Sequence, residues 1–168
     1  MLDPAVGGNP TPAPRIRFAC ESDSHALVPV INSAFKVEDF VEGPRTDEAR
    51  MSELMQRGEF LIAESGSSQI VASVYLEFSG ERAYFGMLAV DPSQQGAGLG
   101  KKMIEAAEER ARQRGCAYMD IKVLSLRPEL LPFYGKFGYT QTGTEPFRPS
   151  HPLKPGVECY AIVMSKKL

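Results

Sequence analysis

An apolar, strand-like segment (Phe85 to Val90) runs into a helix-like one (Leu99 to Arg114) through the turn Asp91-Pro92-Ser93-Gln94-Gln95-Gly96-Ala97-Gly98-Leu99-Gly100-Lys101. A glycine-rich turn between strand and helix lets several backbone N–H groups converge on an anion, with the positive end of the helix behind them. The stretch therefore reads as a phosphate cradle, and its spacing limits which phosphate. A nucleotide P-loop needs four residues between its first glycine and the Gly-Lys pair, then Ser or Thr. Here three residues separate Gly96 from Gly100, and Lys102 stands in the hydroxyl's place. A dinucleotide fingerprint needs glycines at the first, third and sixth positions, and counting from Gly96 the sixth is Lys101. The same glycines would equally serve a permissive turn that feeds a helix, so the rest of the chain has to decide.

At 168 residues the chain suits one core. Net charge is −2, from 19 basic and 21 acidic residues with no dense basic stripe, which argues against sequence-independent nucleic-acid binding. No apolar run is long enough to span a bilayer, so neither nucleic acid nor membrane is expected as a partner. Residues 1–14, with Pro4, Pro10, Pro12 and Pro14 among glycines, lack the charged and apolar regions of a signal peptide. They read as a disordered lead-in to a single domain over 15–168. Cys20, Cys116 and Cys159 are far apart and form no CxxC pair, so neither a disulfide framework nor a metal site is expected, and the setting that fits is a reduced, cytoplasmic one.

Periodicity orders the rest. Arg15 to Cys20 alternates as a strand, and Ser22 or Asp23 caps a helix through Leu27, Ile31 and Phe35. A polar loop (Lys36 to Arg45) precedes a second helix, Thr46 to Arg57. Phe60 to Ala63, Ile70 to Phe78 and Arg82 to Val90 read as strands, the first two joined by a turn at Gly66-Ser67-Ser68. The helix from Leu99 follows, then a strand from Ala117 to Val123. Pro128 opens a helix in which Pro132 is expected to cost a hydrogen bond. Two last strands, Tyr139 to Thr144 and Val157 to Ser165, flank a Pro-rich loop. The predicted order β-α-α-β-β-β-α-β-α-β-β is that of an α/β fold with a mixed sheet of about seven strands and helices on both faces.

What remains in the glycine turn, Gln95-x-x-Gly98-x-Gly100, resembles the coenzyme A pyrophosphate loop of the GCN5-related N-acetyltransferases (GNAT family). A second stretch, Arg127-Pro128-Glu129-Leu130-Leu131-Pro132-Phe133-Tyr134-Gly135-Lys136-Phe137-Gly138-Tyr139, fits that family's Tyr-x-x-x-Gly-aromatic element through Tyr134, Gly138 and Tyr139. The order of elements is similar too, so the resemblance covers 15–166. It implies the acyl-CoA N-acyltransferase fold, whose mostly antiparallel sheet splays near its centre. It also implies acetyl-CoA as co-substrate, no metal, and transfer to a primary amine on a small molecule or peptide. By the resemblance the pantetheine arm lies along Leu88, Ala89 and Val90. The pyrophosphate lies on Gln95, Gly96, Ala97, Gly98, Leu99, Gly100 and Lys101, with further cofactor contacts at Arg127 and Tyr134. Family members are often dimers, and a homodimer sharing the last strand is one open expectation. A non-catalytic acyl-CoA sensor, or a transferase acting on a hydroxyl or with a longer acyl group, are the alternatives.

Amine attack on a thioester sets three requirements. An alkyl amine of pKa about 10.4 is mostly protonated at pH 7, a penalty of about 4.6 kcal/mol that a base must offset. An oxyanion needs a donor, which the resemblance assigns to the N–H at Leu88. The departing thiolate needs a partner, assigned to Tyr134; a phenol near pKa 10 gives its proton to a thiolate near 8.5 only uphill by about 2 kcal/mol, so its role is to donate a hydrogen bond. For the base, relatives place a carboxylate on the strand before the loop where this chain has Tyr84, which leaves Glu77, Glu38 with Asp39, His151 or water. Glu38 and Asp39 would suit a cationic acceptor, but the same loop also carries Lys36 and Arg45; protein N-termini, lysines, polyamines, amino acids and aminoglycosides all stay open.

Overall fold

The computed structural model describes residues 11–168, so the first ten residues of the expected lead-in lie outside the described residues. In chain order the elements are β1 (Arg15–Phe18), α1 (Ser24–Ala34), α2 (Glu48–Arg57), β2 (Glu59–Glu64), β3 (Ile70–Ser79), β4 (Arg82–Val90), α3 (Leu99–Gln113), β5 (Tyr118–Leu124), α4 (Leu130–Gly135), β6 (Thr140–Pro146) and β7 (Tyr160–Lys167). One seven-stranded sheet takes the order β1-β2-β3-β4-β5-β7-β6. Every neighbouring pair is antiparallel except β4 and β5. The expected succession of elements and the mixed, mostly antiparallel sheet are both present.

Helices cover both faces, and β2 shows why its sequence is continuously apolar. Phe60 and Ile62 point toward Leu27 and Ile31 of α1 and Met51 and Leu54 of α2, while Leu61 and Ala63 point toward Met103, Ala107 and Ala111 of α3. Successive strand residues face opposite ways, so a strand buried on both sides has no polar position to spare.

Boundaries move where capping and turns act. Asp47, whose carboxylate accepts from the Arg50 amide at 2.8 Å, caps α2, so the helix starts at Glu48 and not at Thr46. Thr46 is held outside it by Asn32, which both donates to and accepts from its backbone. The Val157 amide closes a turn onto the Lys154 carbonyl, which delays β7 to Tyr160. Pro132 is the third residue of α4, in the first turn where amides lack intrahelical acceptors, so the expected lost hydrogen bond is not lost. An interior proline does occur at Pro29 in α1; that helix persists because Leu27 and Ile31 on either side are fully buried.

A buried polar knot fixes α3 to the far half of the sheet. The Glu108 carboxylate on α3 accepts from the Tyr139 hydroxyl at 2.8 Å and from Lys166 Nζ of β7 at 2.8 and 2.9 Å. Tyr139 follows α4 after a short turn in which its amide donates to the Tyr134 carbonyl, so the knot also sets where α4 lies.

Candidate active site

β4 is the strand that makes the site. Against β3 it pairs from Arg82↔Ser79 to Val90↔Ala72, with a shift between Ser73 and Tyr75 where Met87 takes a positive φ of 49°. Left-handed backbone at a non-glycine residue is uncommon, and here it marks a bulge that sets Met87 and Leu88 against Val74. Against β5, by contrast, β4 pairs at three rungs only, Arg82↔Tyr118, Ala83↔Met119 and Tyr84↔Asp120. Asp120 secures that end: Arg82 of β4 and Ser165 of β7 both donate to its carboxylate. Burial would raise the Asp120 carboxyl, but those hydrogen bonds hold it below the usual carboxylate range. Beyond the clamp the two strands part around a cleft of about 1250 Å³.

The glycine turn forms one end of this cleft. Asp91 accepts from the Ser93 amide at 2.8 Å, Pro92–Gln94 make a short 3₁₀ turn, and the Gln95 side chain donates back to the Val90 carbonyl at 3.1 Å. Gly96 (φ 86°) and Gly98 (φ 78°, capping α3) occupy the left-handed region, and no atom lies within 4 Å of where either Cβ would be. The glycines are thus demanded by the bend, and they leave its outer side open. Gly100 has no such backbone need; an added Cβ would meet only Val90 Cγ2, at 3.8 Å.

Of the residues assigned by resemblance, Leu88, Val90, Gln95, Gly96, Gly98, Leu99, Gly100, Lys101, Arg127 and Tyr134 line this one cleft. Ala89 is fully buried with its side chain in the α1–α2 core, and Ala97 is exposed outside the cleft lining. Leu99 is nine-tenths committed to the α3 core. Lys101 pairs loosely with Glu105 one helical turn on, at 3.8 Å. The Arg127 guanidinium lies against Glu129 and, at 3.4 Å, Glu38.

Tyr134 stands on the cleft wall with its ring edge-on to Phe133 (5.0 Å between centroids) and 6.0 Å from Phe85. Burial pushes its phenol up to about 12, which keeps it a protonated donor. Unlike the hydroxyls of Tyr75 and Tyr139, which donate to Glu77 and Glu108, that of Tyr134 has no hydrogen-bond partner among the described residues.

The candidate bases are placed less simply. Glu77 Oε1 accepts from Tyr75 at 2.7 Å and meets Arg57 at 3.1 Å. Glu38, its side chain 7% exposed, sits between Arg45 and Arg127, each at 3.4 Å; burial raises its carboxyl above the ordinary value, opposed by both arginines. Asp39 is exposed and does not line the cleft. His151 stacks over Gly43 and lines a small cavity of about 40 Å³ that adjoins the main cleft through Phe35, Glu38 and Arg45; it is not among the residues that line the main cleft itself. Tyr84, raised by burial, lies in the cleft and folds its hydroxyl over Gly86, where a Cβ would collide with it.

Two loops wall the cleft on this side. The α1–α2 loop and the β6–β7 loop are bridged at Val41↔Leu153, with Glu42 donating to the Pro152 carbonyl and Lys154 to that of Phe40, both at 2.9 Å. Sequence reading noted Arg45 beside the acidic pair but missed Arg50, Arg57 and Arg148, which α2 and the β6–β7 loop bring to the cleft. For α2 a signal existed: Arg50, Leu54 and Arg57 stand four and then three residues apart, on one helical face.

The sequence profile of the acetyltransferase (GNAT) family matches residues 26–139. An acetyltransferase of Agrobacterium fabrum is 36% identical over 63 residues, 36% of this chain and 43% of the relative, so less than half of that protein is matched. Glucosamine 6-phosphate N-acetyltransferase 1 of Oryza sativa subsp. japonica is 28% identical over 116 residues, covering 61% of this chain and 68% of the enzyme. Among solved structures, a protein from Salmonella typhimurium with its cofactor acetyl-CoA superposes with a TM-score of 0.72 at 22% identity, over 92% of this chain and 94% of that one, a likeness of fold.

Proposed function

From the premise that this chain belongs to the acetyltransferase (GNAT) family, we propose that it transfers acetyl from acetyl-CoA to a primary amine by direct attack within a ternary complex. The observation that carries this reading is the parting of β4 from β5 after three rungs, which opens one edge of β4 beside a left-handed glycine bend and beside Tyr134. An extended arm can add to such an edge as a further strand does. The bend offers amides and the N-terminus of α3 to the pyrophosphate. One helix end contributes about 0.3–2 kcal/mol to anion binding, whereas micromolar affinity needs about 8, so edge and bend must act together.

Acetyl-CoA supplies an activated thioester. The chain's own part is to hold it, shield it and place two donors. In the proposal the N–H at Leu88 receives the charge that grows on the carbonyl oxygen as nitrogen attacks carbon. Tyr134 donates a hydrogen bond to sulfur as the C–S bond breaks; its raised pKa disfavours outright loss of the proton. The proton lost by the ammonium leaves through water, because Glu77 is engaged by Tyr75 and Arg57 and Tyr84 stands where a carboxylate would act. The test is release of free thiol from acetyl-CoA by the purified protein with an amine panel. Amine-dependent release supports a transferase; tight coenzyme A binding without release for any acceptor would make the protein a sensor.

A further inference from the structure

We propose that the amine accepted in this cleft carries an acidic group, a carboxylate or a phosphate, received by Arg45 and Arg148. This rests on the transferase reading and narrows its acceptor. The chain as a whole is acidic, at −2, yet the cleft is not. Besides Lys101 at the glycine bend it is lined by Arg45, Arg50, Arg57, Lys122, Arg127 and Arg148, against the carboxylates Glu38, Glu77, Asp120 and Glu145. A cleft lined with an excess of one sign focuses its field on the ligand within.

Each of those carboxylates is already held. Glu38 lies between Arg45 and Arg127, Glu77 takes Tyr75 and Arg57, Asp120 takes Arg82 and Ser165, and Glu145 takes Lys122. A polycationic acceptor would have to displace one of these partners for each charge it brought. Protonation of Glu38, whose carboxyl burial raises, would only make the cleft more positive.

The cations retain capacity. Arg45 reaches Glu38 with a single nitrogen at 3.4 Å while its guanidinium covers the Phe35 ring at 4.7 Å, leaving most of its five N–H donors unused. Arg148, exposed in the β6–β7 loop, meets no carboxylate within ion-pair distance among the described residues. The Val41↔Leu153 bridge ties its loop to the one that carries Arg45. Planar guanidinium forks match a carboxylate or a phosphate bidentately.

The test uses the full chain with acetyl-CoA at pH 7 and reads thiol release for matched pairs: α-amino acids against their amides, phosphoethanolamine against ethanolamine, and spermidine. The acidic member of a pair is expected to have a kcat/KM at least about tenfold higher, the worth of one charge-assisted hydrogen bond. The amide's amine, of pKa about 8, is more often neutral, which biases the comparison against the proposal. Whether the carboxylate or the phosphate pair shows the larger ratio identifies the group. Arg45→Gln and Arg148→Gln should each bring that ratio toward one through KM. Preference for spermidine or for the uncharged members, or a ratio unchanged in both variants, overturns the proposal. Should no amine release thiol, the transferase reading fails by itself, and calorimetry on the coenzyme A-loaded protein still decides the acceptor question. There an N-acetyl amino acid binding at least about tenfold tighter than its amide supports the acidic group, and equal or weaker binding overturns it.

Discussion

The two edges of β4 have opposite fates. Toward β3 the strand is paired from end to end apart from one bulge, with Ala83 and Phe85 buried on the α3 side and Ala89 on the α1–α2 side. Toward β5 it is paired for three rungs and then released. The same strand therefore supplies stability on one side and an edge without a strand partner on the other, and substitutions on the two sides should separate what they damage.

The largest effect belongs to the closed edge. Leu76→Ala on β3, fully buried against α3, should cost about 2–5 kcal/mol of unfolding free energy, measured by denaturant titration, with coenzyme A affinity of the remaining folded protein changed little. At the open edge the order reverses. Gly98→Val places a β-branched residue at φ 78°, with space but with backbone strain of about 1–2 kcal/mol. It is expected to weaken coenzyme A binding at least about a hundredfold by calorimetry; unchanged affinity would remove the bend from the site. Tyr134→Phe should lower kcat about tenfold to a hundredfold while KM for acetyl-CoA stays within about twofold. With its phenol at about 12, the wild-type kcat should show no loss from Tyr134 ionisation below about pH 11.

The smallest effect is electrostatic and again differs in sign between regions. Beside β1 and β2, hydrogen bonds from Arg17 hold the Asp23 carboxyl, and from Arg110 the Glu59 carboxyl, below the usual range. Their contribution to stability is complete above the unfolded carboxylate value, about 4, and is lost as pH falls through the lower folded value. In the cleft Glu38 is raised, so protonating it on acidification favours the folded state. Melting temperature followed from pH 7 to pH 3 should fall less in Asp23→Asn than in wild type, and more in Glu38→Gln.

How much of this was legible in the sequence depends on distance along the chain. The order of elements and the glycine bend were readable because periodicity, caps and positive-φ glycines are local properties. So was the placing of Tyr134 beside the bend, through a motif six residues long. The ends of α2 and β7 moved by a few residues because Asn32 and Lys154, outside those elements, claim groups that would have extended them. The acceptor side was not readable. Glu38 and Asp39 look alike in sequence, an acidic pair suited to a cation, but one is buried between arginines and the other lies outside the cleft. What separates them is Arg127, 89 residues away, and no local pattern encodes that encounter. The place of His151 was unreadable for the same reason: its loop is Pro-rich and aperiodic, and the bridge to Val41 helps set it over Gly43.

That bridge has an evolutionary corollary. Because the Val41 and Leu153 segments share amide and carbonyl partners, transplanting either one from a homologue without its mate would strand hydrogen-bonding groups at the rim. A change of acceptor among such enzymes is then best inherited as a coordinated exchange of both ribbons, and a chimera that swaps them together is the one that should keep its shape.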